Sequence, residues 1–183
     1  MATAAKTVGY QEWLEMPVVE DATEEVVKGE VRIMPPAKWR HSRTVQKLGR
    51  NLERQLDADT ILVVISEFGL VISREPLTCR VPDLAVFQNE TIVEEDGYVH
   101  SAPQLIVEVL SPSNTRAERQ EKLRDYENLG VPEVWVVSPE ARTVEVLLLE
   151  EGKLHTTAIL NQGQIRPRHF PEAAVEIAAI WPK

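Results

Sequence analysis

Two residues in this chain have the types and spacing to do chemistry together: Asp83 and Glu108. Glu108 stands at the centre of "APQLIVEVLSPSN", residues 102–114, among Leu105, Ile106, Val107, Val109 and Leu110. A run this apolar reads as a buried strand. An unpaired carboxylate inside it must find a partner, take up a proton or face a cleft. Side chains alternate along a strand, so Ile106, Glu108 and Leu110 share one face. In "RVPDLAVF", residues 80–87, Val81, Asp83, Ala85 and Phe87 share a face by the same rule. If the two strands are neighbours, Asp83 and Glu108 converge. Two carboxylates at one point repel, and one is protonated unless a cation sits between them. Hard oxygen ligands without His or Cys suit Mg²⁺ or Mn²⁺. With a lysine nearby, such a pair has the parts needed to hydrolyse a phosphodiester: the ion polarises phosphate and activates water, and the ammonium offsets developing charge.

The elements that must position these groups follow from local pattern. "YQEWLEMP" reads as a short helix stopped before Pro17, and "GEVRIMPP" as a short strand. Residues 38–57 have helical period, with Val45, Leu48, Leu52 and Leu56 on one face and Arg43, Lys47, Arg50 and Arg54 in a stripe on the other. "TILVVISEF" and "GLVIS" read as two strands in a hairpin or bulged pair. "DGY" at 96–98 is a turn. A helix then begins with Thr115 and Glu118 in a capping box and ends at Gly130 before Pro132. "EVWVVSP" is a strand, and strand, helix, strand in succession predicts a parallel crossover. "TVEVLLLEEGKLHTTAIL" reads as a hairpin turned at Glu151-Gly152. "PEAAVEIAAIW" fits either a terminal helix or a short strand. The expectation is a single α/β domain over 1–183: a mixed β-sheet flanked by helices in α-β-β-β-α-β order, a core over about 20–150, and an added hairpin and terminal segment over 143–183.

Composition narrows the alternatives. The 183 residues are 43% hydrophobic and 27% charged, with a net charge of -9. That acidity argues against a non-specific nucleic-acid coat protein, but not against a nucleic-acid enzyme, where local patches matter more than the total. Acid clusters can also be metal sites. Cys79 is the single cysteine, which excludes an internal disulfide and a Cys-rich zinc site. No apolar stretch approaches the ~18 residues of a membrane span, and "MATAAKTVGYQEW" lacks the apolar core of a signal peptide. A cytoplasmic location is therefore the expectation, with no membrane partner. There is no Gly-rich phosphate loop, H-E-x-x-H or G-x-S-x-G motif.

Taken together, "PD" at 82–83, "EVLSPS" at 108–113, Lys122 and Tyr126 on the following helix, and "GVPEVWVVSP" at 130–139 resemble the putative restriction-endonuclease domain family. These are small bacterial proteins within the PD-(D/E)XK nuclease superfamily, and the resemblance spans roughly residues 20–150. It implies a restriction-endonuclease-like core and a Mg²⁺- or Mn²⁺-dependent endonuclease acting on DNA, with copies paired as a homodimer or higher homo-oligomer. By position it makes Asp83 the metal-binding aspartate, Glu108 the glutamate of the E-x-K element, and the Val109 carbonyl a further ligand. Leu110 stands where that element has its lysine, and Lys122 of the next helix takes its place. Relatives often carry an aspartate four residues before that lysine; this chain has Glu118. Glu30 matches a glutamate near the family's first strand, His41 a histidine at the start of the long helix, and Tyr126 joins the site group.

Each of these residues also has a plain structural reading. Glu108 could pair with a buried arginine, and Asp83 could cap a turn after Pro82. Glu118 and Lys122 have the spacing of a surface helix pair. Tyr126 and His41 could be core residues, and Glu30 a solvated strand end. The stripe of Arg43, Lys47, Arg50 and Arg54 is either a solvated face or a surface that tracks DNA phosphates. Trp39 and Trp135 read as packing residues. The rival function is a non-catalytic binding or assembly module on the same fold. A metal-free carboxylate-pair hydrolase acting on glycosides is a third option, which lacks a lined-up aromatic platform.

Overall fold

The computed structural model describes residues 7–17, 22–65, 68–112 and 114–182. Helix α1 (Tyr10–Leu14) precedes a hairpin of β1 (Thr23–Val27) and β2 (Glu30–Met34). The long helix α2 (Trp39–Glu53) follows, then β3 (Ile61–Ile65), β4 (Leu70–Arg74), β5 (Leu77–Arg80) and β6 (Leu84–Gln88). Short strands β7 (Glu94–Glu95) and β8 (Tyr98–Val99) lead to β9 (Leu105–Val109), α3 (Arg116–Leu129) and β10 (Glu133–Ser138). The C-terminal part holds the hairpin of β11 (Thr143–Glu150) and β12 (Lys153–Leu160), a ribbon of β13 (Gln164–Ile165) and β14 (Val175–Glu176), and α4 (Ile177–Ile180). The terminal stretch that fitted helix or strand is thus both in succession. No helix among the described residues is long and apolar enough to cross a membrane.

The strands form two large mixed sheets where the sequence suggested one. The first has order β2-β1-β5-β4-β8-β7 and the second β12-β11-β10-β9-β6-β3. The expected pair of β3 and β4 is not a hairpin. β3 pairs with β6, and β4 with β5, so consecutive strands go to different sheets. Burial explains the split: Ile61, Val63 and Ile65 pack on the cluster under α2, whereas Leu70 enters the cluster on the opposite face of the second sheet. "RVPDLAVF" is likewise divided. Arg80 ends β5 in the first sheet and Leu84 begins β6 in the second, with Pro82 in the break.

The second sheet carries the main core on both faces. Leu84, Val86, Leu105, Val107, Val109, Trp135 and Val137 meet Val45, Leu48 and Leu52 of α2, as the helical spacing requires. Ala85, Phe87, Ile106, Val134 and Val136 meet Tyr126 of α3. Each strand therefore alternates between two apolar layers, which is why these runs are almost uniformly hydrophobic. β9 and β10 are parallel, joined through α3 as expected. Gly49 sets how closely α2 approaches: a Cβ there would lie 2.2 Å from Ile65 Cδ1 and 2.8 Å from its Cγ1.

Helix α3 begins and ends where the sequence places it. Thr115 Oγ1 accepts from the Glu118 amide at 3.2 Å, and Glu118 Oε2 accepts from the Thr115 amide at 2.7 Å. Gly130 closes the helix at φ 84°, a left-handed conformation that costs glycine little. Because α3 carries Lys122 and Tyr126, this cap also supports the site. Thr115→Ala should cost about 1 kcal/mol and lower Tm by roughly 2–4 °C; a thermal-unfolding comparison with the wild type measures it.

Candidate active site

β6 and β9 are antiparallel neighbours, with Leu84 opposite Val107 and Ala85 opposite Ile106. Asp83 immediately precedes β6 and Glu108 follows Val107 in β9, so both acids stand at the same end of this pair. They lie close enough there for the charge of Asp83 to raise the Glu108 carboxyl. Asp83 Oδ2 accepts from the Val109 amide at 2.7 Å and lies 3.1 Å from His41 Nε2. The aspartate is thus held against β9 from one side and α2 from the other. His41 sits in the first turn of α2, and its Nδ1 is buried without a hydrogen-bond partner among the described residues.

α3 brings the cation. Lys122 Nζ lies 3.3 and 3.2 Å from the two oxygens of Glu108, and 3.0 Å from Glu25 Oε1. Tyr126, one turn on, donates its hydroxyl proton to Glu108 Oε1. The anticipated partner of Glu108 is therefore a lysine and a tyrosine. The buried arginine belongs to the next shell of charge. Arg80 Nη1 donates to Glu25 Oε2 at 2.9 Å, and its Nε and Nη2 donate to Asp125 Oδ2 at 2.8 and 2.6 Å. Arg80 Nη2 also lies 3.5 Å from Glu121, which Arg32 reaches at 2.7 Å.

Of the predicted group, Asp83, Glu108, Val109, Lys122, His41 and Tyr126 come together. Glu30 does not. It is exposed on β2 and lies 3.6 Å from Arg32. The glutamate that enters from the first strand is Glu25, whose side chain is 2% exposed. "TEEVV" offered two adjacent acids with no sign of which pointed inward. Arg80 carried a clearer signal, a charge in an otherwise apolar strand, the same oddity that marked Glu108. Glu118 acts as the helix cap. In the basic stripe, Arg50 and Arg54 are exposed and Arg43 half-buried. Lys47 is engaged elsewhere, donating to the carbonyls of Ala179 at 2.9 Å and Trp181 at 2.5 Å.

The electrostatics follow from this crowding. Burial pushes the Glu108 carboxyl up to about 7; Lys122 and the Tyr126 hydroxyl oppose that, while Asp83 and Glu25 reinforce it. Burial also works against charge on Lys122, but Glu108 and Glu25 outweigh it and keep the ammonium protonated. Glu25 is pushed up by burial yet held below its ordinary value by Lys122 and Arg80. His41 is disfavoured as a cation by burial, and the hydrogen bond and charge of Asp83 reverse this, raising it. The side chains of Asp83, Glu108, His41 and Lys122 retain 13–20% exposure, so the cluster opens to solvent.

Among the described residues, no three His, Cys, Asp or Glu side chains are grouped to hold a metal ion by themselves. A hard divalent ion would therefore draw on two carboxylates, Asp83 and Glu108, and on main-chain oxygen such as the Val109 carbonyl. The donor chemistry fits. Asp83, Glu108 and Glu25 all act on one ammonium, that of Lys122, and the charges of Asp83 and Glu25 add to the upward pull that burial exerts on Glu108, which a cation beside it would relieve.

Two large mixed sheets flanked by helices, with an added C-terminal hairpin, make the architecture of a restriction-endonuclease-like protein. The family described as Uma2, putative restriction endonuclease, matches residues 10–178, and the chain belongs to it. Among solved structures, the chain is similar to a putative nuclease belonging to DUF820 from Anabaena variabilis ATCC 29413. That likeness has a TM-score of 0.78 at 18% identity and covers 95% of this chain and 97% of that one. No curated protein matches the sequence.

The Glu108 shift makes a stability prediction. Its folded pKa lies above the unfolded carboxylate value, so its contribution is present below pH 4.5 and is lost as pH rises through about 7. In chelator, the stability of the wild type relative to Glu108→Gln should fall by up to about 3 kcal/mol across that window. Urea unfolding at several pH values reads it; a flat difference would mean that Glu108 titrates as an ordinary carboxylate.

Proposed function

We propose that this chain is a divalent-metal-dependent endonuclease that hydrolyses DNA phosphodiester bonds. The observation that carries this reading is the convergence of Asp83 and Glu108 on one solvent-open point with the Lys122 ammonium beside them. Asp83, Glu108 and the Val109 carbonyl would hold Mg²⁺ or Mn²⁺, which when bound polarises phosphate and lowers the pKa of water. Lys122 offsets negative charge that develops on the phosphate. His41 orients Asp83 from α2, and Tyr126 orients Glu108 from α3. Glu25, in place of Glu30, holds Lys122 from behind. The exposed Arg50 and Arg54, with Arg43, provide cations for the DNA backbone.

One observation favours the rival reading, a non-catalytic binding module. Lys122 and Glu108 already satisfy one another, with both carboxylate oxygens engaged. Plasmid cleavage separates the two. The wild type should nick or linearise plasmid with Mg²⁺ or Mn²⁺ and lose this in chelator. Asp83→Asn, which keeps an acceptor for the Val109 amide, and Lys122→Met should each lower the rate by about 100-fold or more. Cleavage unchanged by chelator, or by both substitutions, overturns the proposal.

A further inference from the structure

Beside the acid pair lies a second feature that the proposed chemistry leaves unused. A cleft of about 330 Å³ opens between the start of α2, the turn after β9 and the turn after β10. Its walls include Lys38, the N-cap residue of α2, and Trp39, Arg40 and His41 from its first turn, with Leu110, Pro139 and the carboxylate of Glu140 opposite. His41 belongs to both places: its Nε2 faces Asp83, while the residue also lines the cleft. Leu110 lies two residues after Glu108. The cleft therefore adjoins the acid pair through His41.

Trp39 is the unexpected member. The sequence suggested a packing residue, yet its relative exposure is 74%, whereas Trp135 is fully buried. A large indole left in water forgoes the burial that usually stabilises it, and an exposed aromatic at a cleft is a stacking surface for a planar ligand. The charges beside it specify the rest of that ligand. Lys38 has no carboxylate partner among the described residues, and Arg40 has a loose, exposed one, Glu140 at 3.6 Å. The first turn of α2 has no acidic residue and no side-chain cap. Cations at that end oppose the helix dipole, so the arrangement is unfavourable for the isolated helix and favourable toward an anion.

We propose that this cleft seats one unpaired nucleotide of the DNA strand next to the acid pair, its base stacked on Trp39 and its phosphate met by Lys38 and Arg40. A planar base, an attached anion and a neighbouring scissile bond are what an indole, two cations and an adjoining acid pair recognise together. Stacking of this kind needs a base free of its duplex partner, so the cleft selects single-stranded or locally opened DNA. The assignment of DNA as the ligand rests on the nuclease reading.

The test is binding of an oligothymidylate single strand to the full chain in chelator, where no metal-dependent cleavage competes. The single strand should quench the emission of the wild type, and Trp39→Phe should lose that quenching while keeping affinity within about twofold. Trp39→Ala should bind at least about fivefold more weakly by anisotropy, and a duplex of equal length should compete poorly. Trp39 makes little contact with the core, so thermal unfolding of both variants should match the wild type. Equal binding by Trp39→Ala, or equal competition by duplex, overturns the inference. Cleavage of DNA by the wild type with single-strand affinity unaffected at Trp39 defeats the cleft and leaves the nuclease standing. Trp39-dependent binding without cleavage in Mg²⁺ or Mn²⁺ does the reverse.

Discussion

The ammonium of Lys122 lies between Glu108 of one sheet and Glu25 of the other, and much of the architecture is arranged around that contact. Desolvating a lysine is costly, and a pair of buried charges repays the cost only when geometry is good and the remaining lone pairs are satisfied. Here they are. Tyr126 serves Glu108, and the Val81 amide and Arg80 serve Glu25. Arg80 repeats the pattern one layer deeper, between Glu25 of the first sheet and Asp125 of α3. Removing either cation leaves carboxylates buried without compensation, which is worse than never having placed them there. The ion-pair chain thus ties β1, β5, β9 and α3 into one arrangement.

The geometry of the acid pair has its origin in a change of sheet. Between Arg80 and Leu84 the chain leaves the first sheet for the second, and Asp83 is the last residue before it joins. A residue at that point is not committed to a strand ladder, so its carboxylate is available to cap the amide of Val109 and to meet His41. Glu108 is inside a strand but one residue from its end, next to the turn that leads into α3. Both acids therefore combine a rigid base with an open side. Three elements of different kinds converge there: a strand start, a strand end and a helix face.

Much of this was legible before any coordinates, where the signals were local. Capping residues mark both ends of α3, Glu151-Gly152 turns the last long hairpin, and an acid set in each of two apolar runs marks Asp83 and Glu108. What was not legible is non-local. Nothing in the apolar stretches 61–65 and 70–72 tells the two runs apart, yet they belong to different sheets. Glu25 was hidden beside Glu24, since the direction of a strand's faces depends on which sheet it joins. Trp39 was misread because indoles usually pack; its exposure follows from its position in the first residue of α2, beyond the stripe that faces the core.

Gly49 gives the position of His41 an origin far from the site itself. The histidine reaches Asp83 from the first turn of a 15-residue helix, and that helix rests on the sheet in its middle, where Gly49 meets Ile65. Depth at the fulcrum fixes height at the tip. A single added carbon at residue 49 would have to displace Ile65 or lift the rod, and any lift is transmitted along it to the imidazole. The missing methyl group thus leaves the tip of Ile65 a seat against the helix, two turns from the histidine.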